Sequence, residues 1–67
     1  MEGAATPRAQ LSSITTALDD LARRVTEIAE QSTGTDLDWL ANDLFEVERS
    51  LGDARRRLTR VGERLRP

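Results

Sequence analysis

The side chains able to do chemistry are few, and their types narrow the chemistry sharply. The chain of 67 residues has no His and no Cys, and all ten of its basic residues are Arg. Without Cys there is no thiolate nucleophile, no disulfide framework and no Cys-based zinc site. The hydroxyls of Ser12, Ser13, Thr15 and Thr16 have no imidazole or lysine amine in the whole composition to activate them. The acid pairs Glu27/Glu30 and Asp43/Glu46 stand three residues apart, so each pair shares a helical face and could hold a hard cation or act as acid and base. Di-metal sites in helical bundles join an inward Glu to a His three residues on. Here there is no His, and these acids fall off the apolar seam described below, so they read as solvated surface. The expectation is a non-catalytic chain with no cofactor and no metal site.

Arginine is the other concentrated chemistry. Residues 55–67 hold six Arg and one Glu, whereas residues 1–54 hold eleven acids and four Arg. At about 100° per residue, Arg49, Arg56, Arg57, Arg60 and Arg64 fall within roughly 100° of one another on a helix. Such a stripe can contact phosphates, but the net charge of −2, the lack of Lys and the lack of stacking aromatics beside it disfavour nucleic acid. An acidic protein surface suits Arg better, through bidentate carboxylate pairs. The plainest reading is a solvated face that complements the negative end of a helix.

Two helices must carry these residues. Leu11, Ile14, Leu18, Leu21, Val25 and Ile28 recur at spacings of 3, 4, 3, 4 and 3. Leu37, Leu40, Leu44, Val47, Leu51, Ala54, Leu58, Val61 and Leu65 continue the same alternation. Both are apolar heptad seams, and strand alternation occurs nowhere. Between them lies Gln31-Ser32-Thr33-Gly34-Thr35-Asp36, where Gly34 suits a left-handed residue past a helix end. Thr35 and Asp38 suit a capping box for the next helix, and Thr6-Pro7 suit the start of the first, with Thr as cap and Pro at the first helical position. The expected fold is all-α: a disordered 1–6, helices at about 7–31 and 36–65, and a turn at 32–35. The short turn makes the helices antiparallel neighbours in a coiled-coil-like hairpin. Pairing residues whose numbers sum to 65 sets Leu11 on Ala54, Ile14 on Leu51, Leu18 on Val47, Leu21 on Leu44, Val25 on Leu40 and Ile28 on Leu37, with Arg24 near Asp43.

In that register the hairpin is unfinished. Leu58, Val61 and Leu65 overhang the first helix and face only Ala4, Ala5 and Pro7. Ala17, Ala22 and Ala29 flank the first seam and leave room for close approach. Trp39 and Phe45 sit about 110–130° from the second seam on opposite sides, beyond the reach of a two-helix contact. Two hairpins pairing into a homodimeric four-helix bundle would cover these groups, and so would helices of a larger protein. The expected partner-binding residues are therefore Trp39, Phe45, Leu58, Val61 and Leu65, with Arg56, Arg57, Arg60 and Arg64 steering toward an acidic or helical surface. The function expected is a protein–protein interaction module, an adaptor or regulator. A nucleic-acid-associated regulator and a structural subunit of an assembly are the alternatives. No run of apolar residues approaches the 18 needed to span a membrane, and the first residues lack the basic start and apolar stretch of a signal peptide. The cytoplasm is the expected location.

Overall fold

The computed structural model describes residues 6–65 and contains two α-helices, α1 (Pro7–Ser32) and α2 (Asp38–Arg64). The start of α1 is the one the sequence implies. Thr6 is extended, its hydroxyl accepts a hydrogen bond from the Ala9 N–H at 3.1 Å, and Pro7 occupies the first helical position, where its missing N–H costs nothing. Thr6, placed in the stretch expected to be disordered, is the cap of α1; the remainder of that stretch lies outside the described residues.

The turn departs from a simple capping box. Gly34 takes the left-handed conformation (φ 78°), as its position past the helix end requires. The Asp38 carboxylate then reaches back to accept from the Gly34 N–H at 2.7 Å, one residue earlier than a capping box would place it. The Thr35 hydroxyl accepts from the Leu37 N–H at 3.0 Å and donates to the Ser32 carbonyl at 2.6 Å. Thr35 therefore ties the two ends of the turn together instead of capping α2, whose cap residue Leu37 has no side-chain hydrogen bond. As a result α1 runs one residue beyond expectation and α2 begins at Asp38 instead of 36.

The two helices, of 26 and 27 residues, lie side by side in a slab 51 Å long, 22 Å wide and 10 Å thick. Equal lengths remove the expected overhang. Leu58 is half-buried and lines a groove with Leu11, Ser12 and Thr15 of α1. The ion pair that crosses between helices joins Arg55 Nε to Asp19 Oδ1 at 3.8 Å. These neighbours set the register about one to two turns from the pairing that sums to 65, and Arg24–Asp43 is not among the ion pairs of the described residues. The cause is the turn: with α1 continuing to Ser32, Ile28 cannot stand opposite Leu37.

Candidate interaction face

Burial along the helices shows which residues actually meet. On α1 the buried or half-buried positions run Leu11, Thr15, Leu18, Ala22, Val25, Thr26, Ala29, Ser32. On α2 they run Leu40, Ala41, Leu44, Glu48, Leu51, Gly52, Ala54, Arg55, Leu58, Gly62. Within each set a central row keeps spacings of 3 and 4, Leu11 to Ser32 on α1 and Ala41 to Gly62 on α2, so the heptad period holds; Thr26, Leu40, Gly52 and Ala54 flank it. The phase of these rows differs from the expected seams. Leu11, Leu18, Val25, Leu44, Leu51 and Leu58 remain, but Ile14, Leu21 and Ile28 are replaced by Thr15, Ala22 and Ala29, and Val47 and Val61 give way to Glu48 and Gly62. Each helix is rotated by roughly 50° from the seam-to-seam arrangement.

On α1 small side chains explain the rotation, since Thr15, Ala22 and Ala29 enter the contact; on α2 Glu48 and Arg55 enter it beside Ala41 and Gly62. The most deeply buried residues are Ala29 at 0% and Ala41 at 2% exposure, one turn from the end of α1 and one turn into α2. Small residues let helix backbones approach closely and gain dispersion contact over a larger area. The hydroxyl residues in the row bring no unsatisfied polar group, because each donates within its own helix: Thr15 to the Leu11 carbonyl at 2.8 Å and Ser32 to the Ile28 carbonyl at 2.9 Å.

The displaced large residues all turn to one side. Ile14, Leu21 and Ile28 of α1 and Val47, Val61 and Leu65 of α2 are exposed at 43–48%. The α1 row lies about 80° from the helix–helix contact and the α2 row about 70°. Because the helices are antiparallel, both offsets point to the same broad face of the slab. Leu40, Ala54 and Leu58 fill in between. The opposite face is polar, with Ser12, Asp19, Arg23, Thr26 and Glu48 along its grooves.

The expected partner-binding residues are split by this arrangement. Val61 and Leu65 belong to the apolar face. Leu58 is shared between that face and the helix contact, so it does not overhang. Trp39, 61% exposed, stands at the outer margin of the apolar face near the turn. Phe45, 37% exposed, turns toward the polar side, which separates it from the others. Arg57, Arg60 and Arg64 surround Val61 in a shallow hollow. Arg56 instead pairs with Asp53, and its guanidinium lies over Gly52, 3.4 Å from where a Cβ would stand.

Sequence reasoning undervalued Ile14, Leu21, Ile28 and Val47 as surface groups, because a heptad row is normally spent on the nearest helix. Their signal was present: α1 carries two large apolar rows and a third row of Thr15, Ala22 and Ala29, more than one neighbour can cover. No three acids converge on a point among the described residues, and no described helix is long and apolar enough to cross a membrane. Comparison of the chain with protein-family models, with curated proteins and with solved structures finds no match.

Proposed function

We propose that this chain is a non-catalytic protein–protein interaction module, an adaptor or regulator that works by packing its apolar face against a second pair of helices to complete a four-helix bundle. The observation that carries the reading is the single apolar face built from Ile14, Leu21, Ile28, Val47, Val61 and Leu65. A slab one helix thick has no second layer to cover that face, and helical domains bury such faces against another layer. Covering the exposed half of each of these side chains stabilises a complex by about 1 kcal/mol apiece. The homodimer is the bundle that needs no other component, and its expected setting is the cytoplasm.

The test uses tagged chain bearing Leu21→Asp or Val61→Asp beside the unaltered chain, each checked for helix content. Protein retained by the unaltered chain at high salt, and lost from both variants, supports the module. Retention of nucleic acid that falls away steeply as salt rises, with both Asp variants still competent, would replace this reading with the Arg-stripe alternative.

A further inference from the structure

We infer that the occupant of the apolar face is a second copy of the chain, docked with its turn over the open end of the first. This rests on the reading of the face as a docking surface and adds the partner and its orientation. Area is sufficient: a face 51 by 22 Å offers on the order of 1,000 Å², against roughly 800 Å² per partner in a standard interface.

Charge selects the partner and the orientation. The half of the hairpin beside the turn, residues 21–50, holds seven acids and three Arg, whereas the open half, residues 6–20 and 51–65, holds six Arg and four acids. The imbalance reaches the rim of the apolar face. At about 100° per residue, Glu46 stands on the outer margin of α2 near the turn, Asp43 lies about 60° inside that margin, in line with Val61, and Arg57 and Arg64 stand on the margin near the open end. Arg57 and Arg64 flank Val61 and have no ion pair among the described residues.

Two face-to-face arrangements of copies obey two-fold symmetry. In one the turns lie at the same end, which stacks acidic half on acidic half and Arg-rich end on Arg-rich end. In the other the turns lie at opposite ends and α2 runs antiparallel over α2 of the second copy. With α2 centred at Leu51, that arrangement sets Asp43 and Glu46 within about a turn of Arg57 of the second copy and Asp43 about one and a half turns from Arg64, twice over by symmetry. Complementary rims of this kind fix register and disfavour the wrong geometry.

The experiment combines oligomeric state with a distance. Light scattering on the purified chain is expected to show a dimer. Because the chain has no Cys, Asp36→Cys carries a single spin label at the turn. Labels at opposite ends lie on the order of 40 Å apart, the length of a 27-residue helix; labels at one end lie within about 20 Å, set by the roughly 10 Å between packed helices. Asp43→Arg with Glu46→Arg is expected to weaken the dimer at least about tenfold, and adding Arg57→Glu with Arg64→Glu in the same chain is expected to restore it. A dimer lost in Leu21→Asp but giving the short distance overturns the orientation and leaves the docking face standing. A folded monomer across the micromolar-to-millimolar range overturns the second copy as occupant. A dimer that survives both Leu21→Asp and Val61→Asp overturns the inference and the proposed function together.

Discussion

Replacing Ala29 by Leu tests the phase of the helix contact directly. Ala29 is fully buried, and the equally enclosed Ala41 lies on the facing helix at the same end of the hairpin. Leu adds three carbon atoms where no space remains, so the helices must separate or the side chain must leave its preferred rotamer. Overpacking of this kind costs about 1–3 kcal/mol. For a chain of this size each kcal/mol lowers Tm by about 4–8 °C, so Ala29→Leu is expected to lower it by about 10 °C. Thermal melts followed by circular dichroism at matched protein concentration give the answer. Ala17→Leu is the control, since Ala17 is exposed on the outer side of α1 and the change there is expected to stay within about 0.5 kcal/mol. If the contact instead used the row Ile14, Leu21, Ile28, Ala29 would lie on a flank, and a Leu there would add apolar contact. An Ala29→Leu chain as stable as the parent, or more so, would therefore refute the small-residue contact.

Two further outcomes follow from the backbone. Gly62→Ala is expected to stabilise the chain by about 1 kcal/mol, seen as a higher urea midpoint, because Gly is the costlier residue inside a helix and a Cβ at Gly62 meets nothing within 4 Å. Gly34→Ala is expected to destabilise by about 1–2 kcal/mol in the same assay, since its left-handed backbone disfavours a Cβ even though the space around it is open. Gly34→Asn is expected to cost less, because Asn tolerates that region.

The helical character of the chain was legible at once. The period of 3 and 4, the Thr6–Pro7 start and the Gly34 turn are each local signals, decided within a few residues, and the structure carries all three. The phase of contact was not legible in the same way, because period and phase are separate facts. Leu11, Leu18 and Val25 belong to the contact under either reading, whereas Ile14 and Thr15 compete for the next place. A hydrophobicity argument chooses Ile14; close packing of backbones chooses Thr15, Ala22 and Ala29. The register failed for a related reason. Asp38 and Thr35 make different hydrogen bonds from those of a capping box, which moves the start of α2 and with it every pairing along the hairpin. An uncovered apolar surface was inferred in kind but was assigned to Trp39, Phe45 and the Leu58, Val61 and Leu65 overhang, whereas Ile14, Leu21, Ile28 and Val47 extend it along the whole slab.

The row of small side chains also decides the handedness of the hairpin. Seen with α1 pointing away and the apolar face upward, α2 can fall to the right or to the left. Falling to the right sets Thr15, Ala22 and Ala29 against it; falling to the left would set Ala17, Arg24 and Gln31 there, burying a guanidinium and a carboxamide. The chain thus carries a chirality that no single helix possesses, written in which flank of a symmetric-looking heptad is kept small. Moving the small residues to the other flank would turn the same period, the same composition and the same turn into a mirror-related layout, with the large apolar rows brought out on the reverse side.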